Sequence, residues 1–320
     1  MLYTADNIKY CLLTWDYLEN EHISGFLHPL PITGLFNWSL LFNGDRTFPR
    51  TREDFDKYNL IHINFTQKNL PLMSKITRLI DHNKTKILVN VDYAIEMWAS
   101  AFSHPELLLQ ELDRADYIFA VEPAMADLLS IALKRPIACI PHPCATHLVE
   151  AYRTKERQKK IMVSAHRYDT NFQLPYYVTR DLPQEWYSCI MGAHNNMSSI
   201  LHLYDECQKQ LTFEESIKYI ASQYAIIETH TMNTFGRVTV EAAVLGVPCI
   251  GPENIDSMNK CFPDLTYSNS SKPVSSIKKL LHALIHHPDF YSNVAKHAID
   301  SSKYYSYENC RKMMLEFLNS

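Results

Sequence analysis

The chain has 320 residues, 46% of them hydrophobic and 21% charged. That composition excludes a disordered chain, and the length suits two domains of roughly 100–200 residues each. A net charge of -4 excludes a strong basic field of the kind that holds nucleic acid non-specifically.

Strand-like and helix-like patterns alternate along the first half. "KYCLLTW" (9–15) is a short apolar run, and "YNLIHINFT" (58–66) reads as a buried strand. "LPLMSKITRLIDH" (70–82) has apolar residues at helical spacing. A strand at 86–93, a helix at 105–115, a strand at 116–122, a helix at 124–133 and a strand at 136–142 follow. Continuous apolar strands separated by helices predict a parallel sheet covered on both faces. The charged stretch "VEAYRTKERQKK" (149–160) is the best linker candidate, giving domains of 1–152 and 153–320. The pattern then restarts. "KIMVSAHRYD" (160–169) reads as a strand followed by a polar loop, further strands are predicted at 185–194, 224–230 and 247–252, and helices at 213–223, 236–246, 274–287 and 309–319. The fold class is α/β, with two doubly wound domains.

The eight cysteines are scattered and none forms CxxC, which argues for buried free thiols in a reducing compartment. The start of the chain lacks a basic, apolar leader, and no run reaches the roughly 18 apolar residues of a membrane span. The expectation is a cytoplasmic protein.

"NTFGRVTVEAAVLGVPCIG" (233–251) concentrates Gly236, Gly246 and Gly251, three of only seven glycines, around a lone carboxylate, Glu241. It reads as loop, helix, turn and strand. Gly236 at the helix start lets an anion approach free backbone N–H groups, and Arg237 adds charge there. Glu241, one turn further, suits a diol such as a ribose, because a carboxylate accepts from two hydroxyls at once. Gly246 ends the helix, and Gly251 is expected to free the turn after the next strand.

This stretch resembles the donor-site signature of retaining GT-B glycosyltransferases, above all the large family four (glycosyl transferases group 1). "RADYIFAVEPAMADLLSIALKRPIACIPHPC" and "YYSYENCRKMMLEFL" extend the resemblance to about three quarters of the chain. It implies two Rossmann-like domains facing across a cleft, the first binding the acceptor and the second a nucleotide sugar. It also implies that the last helix packs back on the first domain. By the same resemblance Glu241 contacts the ribose, and the loop of Asn233, Thr234, Phe235 and Gly236 presents N–H groups to the diphosphate and sugar. Arg167 clamps the leaving diphosphate. The chain departs from the family pattern at Asn233, where a glutamate is usual, and near Asn171, where a clamping lysine is usual. The family's glycine-rich loop corresponds to "HPLPITGLFNW", with Gly34 alone.

Other residues are candidates by position. Asp92 ends a predicted strand, where a base or an acceptor-orienting group belongs, although a helix cap is the plain alternative. Glu96 is a weaker candidate. His166 and His230 fall at strand ends beside the presumed donor. Trp15, Trp38 and Trp98 lie near predicted loops, and Trp38 joins Gly34 and Asp92 on the acceptor side. Asp54-Phe55-Asp56 matches a D-x-D metal motif but reads as a solvated charge run. His282 and His286 share a helix face without a third ligand.

The function these features imply is a metal-independent, hexosyltransferase-like enzyme working with retention. It has no cofactor beyond its UDP- or GDP-sugar co-substrate. The acceptor stays open between a glycan, a small glycoside, a protein and a modified nucleic-acid base, as in viral DNA modification. An epimerase or hydrolase of the same fold and a catalytically degenerate binding subunit are the alternatives.

Overall fold

The structure is a computed structural model describing residues 2–13, 34–65, 70–92, 94–97, 104–164, 171, 173–191, 201–208 and 211–320. By compactness it divides into Met1–Pro143 with Tyr307–Ser320, and Cys144–Ser306.

The first unit holds β1 (Tyr10–Leu13), β2 (Asp45–Thr47), β3 (Leu60–Phe65), β4 (Lys86–Val91), β5 (Tyr117–Ala120) and β6 (Ala138–Cys139). They form one parallel sheet in the order β2-β1-β3-β4-β5-β6. Alternate residues point to opposite faces, and both faces are apolar. Cys11, Ile61, Ile63, Val89 and Ile118 enter one core with the helices Leu70–Leu79, Pro105–Leu112 and Pro123–Leu133. Leu12, Leu60, Leu88 and Phe119 enter the other, which the last helix, Tyr307–Leu318, closes with Cys310, Met314 and Leu318.

The second unit repeats the plan with β7 (Lys160–Ser164), β8 (Tyr187–Met191), β9 (Glu206–Gln208), β10 (Ala225–Ile227), β11 (Cys249–Pro252) and β12 (Thr266–Tyr267). Their order is β12-β11-β10-β7-β8-β9, again parallel. The strand sequence therefore reverses between β7 and β10, which pair directly through Val163 and Ile227. In such sheets the carboxyl ends at the reversal form the ligand crevice.

The long apolar strands form as predicted. The short edge strands β2, β9 and β12 escape the sequence reading because their residues are mostly polar or half-buried and show no apolar run. The helix Pro288–Ser302 also escapes it, because only Val294, Ala298 and Ser302 are buried, one narrow stripe of small residues.

The charged stretch expected as a linker is strapped to the second unit. Arg153 Nε and Nη2 donate to the Val244 carbonyl at 3.1 and 2.8 Å. Arg157 Nη2 donates to the Leu245 carbonyl at 2.8 Å, and its Nη1 to the Ala221 carbonyl. These carbonyls close the helices Arg237–Leu245 and Phe213–Ser222, whose last turns lack intrahelical donors. Gly246 caps the first of them at φ +69°, donating to Ala242 and Ala243. Gly251 differs from expectation. It lies inside β11, where a Cβ would meet the Met258 side chain at 3.0 Å and Glu228 Cβ at 3.2 Å.

One buried polar chain crosses the first sheet. Tyr10 Oη bonds His62 Nδ1, His62 Nε2 lies 2.8 Å from Asn90 Oδ1, and Asn90 Nδ2 donates to Asn64 Oδ1 at 2.8 Å. Burial pushes the His62 imidazole down to about 3, so it stays neutral in the fold. The unfolded chain takes up that proton below roughly pH 6.5. The stability His62 contributes is therefore complete above that pH and is lost as pH falls toward about 3. His62→Gln should flatten the acid side of the stability profile between about pH 6.5 and 4, read by urea unfolding at stepped pH.

Candidate functional site

The reversal between β7 and β10 brings the ends of the two strands together at the carboxyl edge of the second sheet. The β10 loop runs from Glu228 into the helix Arg237–Leu245. Gly236 is its N-cap at φ +79°, a left-handed conformation that glycine alone takes cheaply. A Cβ there would lie 2.3 Å from Ile255 Cγ2 and 2.4 Å from Ser257 Oγ. The helix start is thus pressed onto the turn 254–257. The Thr234 N–H donates to the Asn254 carbonyl at 3.1 Å and the Asp256 N–H to the Thr234 carbonyl at 2.9 Å. Ser257 Oγ donates to the Gly236 carbonyl at 2.9 Å.

This bracing sorts the predicted donor residues. The Thr234 amide is committed to Asn254, so any amides this loop presents to a ligand are others than that of Thr234. Phe235 packs its ring edge-on to Tyr305 at 5.6 Å, a core contact. Asn233 is half-buried, and Arg237 is exposed at the first helical position. Glu241 is buried within a helix whose residues 238–245 are all buried, so it is no solvated surface carboxylate.

Two residues before the middle of that loop, His230 Nε2 stands 3.0 Å from Glu228 Oε2, with both side chains buried. Glu228 had no place among the predicted site residues, because the sequence shows it only as the end of an apolar strand. His166 and Arg167 lie outside the described residues. The positions that bracket them are fixed at this edge. Ser164 ends β7 paired with Met191, and Asn171 is bonded to the β10 loop. The Asn171 N–H donates to the Thr229 carbonyl at 3.0 Å, and Thr229 Oγ1 returns a bond to the Asn171 carbonyl at 2.9 Å. Asn171 Oδ1 accepts from the Leu174 N–H at 3.2 Å, at the start of the helix Gln173–Thr179.

In the first unit Asp92 directly follows β4, at the carboxyl edge as predicted. His142 Nε2 lies 3.0 Å from its Oδ2, with side-chain exposures of 5% for His142 and 37% for Asp92. The carboxylate is the accessible member and the buried imidazole holds it. His142, in "IPHPC" just past β6, is a residue the sequence reading missed. Asp92 and His142 follow β4 and β6, two strands separated by β5, so nothing local in the sequence links them. Gly34, at φ +123° with open space beside it, donates its N–H to the Pro143 carbonyl at 3.4 Å. Asp92 and Gly34 thus both meet the His142–Pro143 turn. Glu96 is exposed on the short 3-10 turn Ile95–Met97.

Trp38 is a correction. It is fully buried in the core, edge-on to Phe119 at 5.6 Å and to His62 at 6.3 Å, and presents no face to an acceptor. Trp15 and Trp98 lie outside the described residues. Asp54 is the N3 residue of a capping box with Thr51 and pairs with Lys57 at 2.9 Å, and Phe55 between the two aspartates is buried. The hydrogen bonds from Lys57, then Thr51, pull the Asp54 carboxyl down to about 2. His282 and His286 stack at 4.1 Å on an exposed face. Among the described residues no three His, Cys, Asp or Glu gather as a metal site, and no helix is long and apolar enough to cross a membrane.

No family model matches the chain, and no curated protein matches its sequence. Solved structures do match. Anabaena Alr3699/HepE in complex with UDP and glucose aligns with a TM-score of 0.72 at 13% identity, over 98% of this chain and 100% of its own. Sucrose-phosphate synthase from Thermosynechococcus elongatus aligns at 0.66 and 12% identity, over 98% of each chain. The α,α-trehalose 6-phosphate synthase of Burkholderia multivorans aligns at 0.63 and 10% identity, over 81% of this chain and 71% of its own. At these identities the likeness is one of fold, and the chain has the GT-B architecture.

Trp38→Ala should lower the unfolding free energy by about 3–5 kcal/mol, the cost of emptying a buried aromatic site. Urea unfolding checks this. An unchanged unfolding midpoint would return Trp38 to the ligand side.

Proposed function

We propose that the chain is a glycosyltransferase that moves a hexose from a UDP- or GDP-sugar to an acceptor hydroxyl, with retention and without a metal. The second unit binds the donor and the first the acceptor. The observation that carries this reading is the helix opened by Gly236 at the switch-point edge, with a buried carboxylate at Glu241. The donor-site resemblance and the UDP and glucose held by the Anabaena structure of the same fold support it.

The chemistry follows from residue types. The first-turn amides of the helix, from Arg237 onward, lack intrahelical acceptors and face an anion with the helix dipole behind them. The Arg237 guanidinium adds charge at that end. Glu241 accepts two ribose hydroxyls. Arg167 and His166, from the loop after β7, meet the diphosphate with His230 and stabilise the negative charge that grows as the glycosidic bond breaks. On the acceptor side Asp92, held by His142, orients the attacking hydroxyl, and the leaving phosphate takes its proton. The acceptor is a glycan, a small glycoside or a modified DNA base.

A thermal-shift panel of nucleotide sugars tests the donor half. One UDP- or GDP-sugar should raise Tm, since ligand at 100 times its Kd adds roughly 2.7 kcal/mol of stability. Glu241→Gln should remove most of that rise. A panel with no shift, and a silent Glu241→Gln, would leave only a non-catalytic subunit, while full turnover without acceptor would mark an epimerase or hydrolase. Asp92→Asn should cut turnover by about 10–100-fold with donor affinity unchanged, as expected for a group that acts on the acceptor alone. Proton NMR of the product anomer decides retention.

A further inference from the structure

We infer that Glu228 is a positioning residue of the donor end, holding His230 as the protonated group that meets the donor diphosphate. The inference rests on the donor-site reading above.

Glu228 follows the last residue of β10 and its side chain is 1% exposed. A carboxylate this deep must be compensated, because water cannot reach it. The neighbours below it cannot do so. Tyr267 donates its hydroxyl to the Glu228 main-chain carbonyl at 3.1 Å and not to the carboxylate. The Cys249 thiol is pushed well up by burial and by the Glu228 charge, so it stays neutral. Among the described residues Glu228 Oε2 takes no hydrogen bond of good geometry, and His230 Nε2 stands beside it at 3.0 Å. At that distance the two side chains interact directly. The carboxylate favours the imidazolium, whose other nitrogen, Nδ1, then also carries a proton.

The backbone around His230 is held as a site would need. Its carbonyl accepts from Asn254 Nδ2 at 3.3 Å and from Asn269 Nδ2 at 3.1 Å. The position just before it, Thr229, is tied to Asn171 by two bonds. Asn171, near the place of the usual clamping lysine, carries no charge, and its side-chain oxygen is engaged at the start of the helix Gln173–Thr179. The Glu228–His230 pair puts a proton-bearing cation on the strand-end loop beside it. A carboxylate behind a histidine orients the ring and raises its basicity, as it does behind metal-bound histidines.

The test is a double-mutant cycle on UDP affinity, or GDP affinity where the wild-type chain prefers it, measured by calorimetry. Glu228→Gln keeps the shape and removes the charge. It should weaken binding by about tenfold, the worth of one charge-assisted hydrogen bond. His230→Gln should cost a similar factor, and the double variant should bind no worse than His230→Gln alone. Glu228→Asp, which keeps the charge, should stay within about threefold of wild type. A purely structural role would give losses in the two single variants that multiply. Multiplying losses, undiminished binding by Glu228→Gln, or undiminished binding by His230→Gln when Glu228→Gln fails to fold, each overturn the inference. A wild-type chain that binds neither nucleotide overturns the donor-site reading and the inference with it.

Discussion

Parallel pairing of β7 with β10 is the constraint on which the carboxyl edge of the second sheet depends. The two strands are hydrogen-bonded neighbours through Ile161, Met162 and Val163, yet the chain continues from them to opposite sides of the sheet. Their carboxyl ends therefore cannot be covered by one connecting helix, and a crevice is left at the edge. What fills the rim of that crevice is backbone under tight steric control. Gly236 has no room for a Cβ, because the turn 254–257 is pressed against it. The same turn takes the Thr234 amide and donates to the Thr234 carbonyl. The helix start is therefore built before any ligand arrives, and binding need not pay to order it.

Several buried polar groups find their partners in distant segments of the chain. Arg153 and Arg157 close the carbonyl ends of two helices, which gives the charged stretch 149–160 its purpose. Tyr10, His62, Asn90 and Asn64 satisfy one another across three strands of the first sheet. Asp92 and His142 meet across the strand ends of β4 and β6. In each case the partners are tens of residues apart in sequence, so the pairing belongs to the sheet order and not to any local motif.

That separation explains what was legible in the sequence. The central strands were, because a strand buried on both faces is a continuous apolar run. The Gly236–Glu241 stretch was, because a loop and the helix it opens are contiguous, so the geometry they need is written in consecutive residues. Edge strands such as β9, with half-buried polar residues, gave no such run. His142 was not read as a site residue because its partner, Asp92, stands 50 residues away past another strand, and Glu228 was not because it shows in the sequence only as the end of an apolar run, although His230 is two residues on. Trp38 misled for a related reason. Its neighbourhood in sequence is a loop, but the short helix Asn37–Leu41 turns it into the core against Phe119 and His62. Aromatic rings near loops are as often lids on a core as platforms for a ligand.

On the proposed donor-site reading, Asn171, near the place where a lysine is usual in the family the sequence resembles, belongs together with the buried pair. An exposed lysine on a loop holds its charge in water and must be ordered when a phosphate binds. A histidine on a strand end, backed by a buried carboxylate, is ordered in advance, and its charge comes with a counter-charge already in place. The pair as a whole is neutral, so it adds little to the long-range attraction of an anion. It acts at contact, through the direction of one N–H. On the proposed reading, long-range attraction at this end then falls to Arg237, exposed at the helix start, and to Arg167. The buried pair contributes alignment of the diphosphate with the amides behind Gly236. On that reading a carboxylate-backed imidazole in place of a loop cation exchanges electrostatic reach for orientation, while the Asn171 carboxamide accepts from the Leu174 N–H at the start of the next helix.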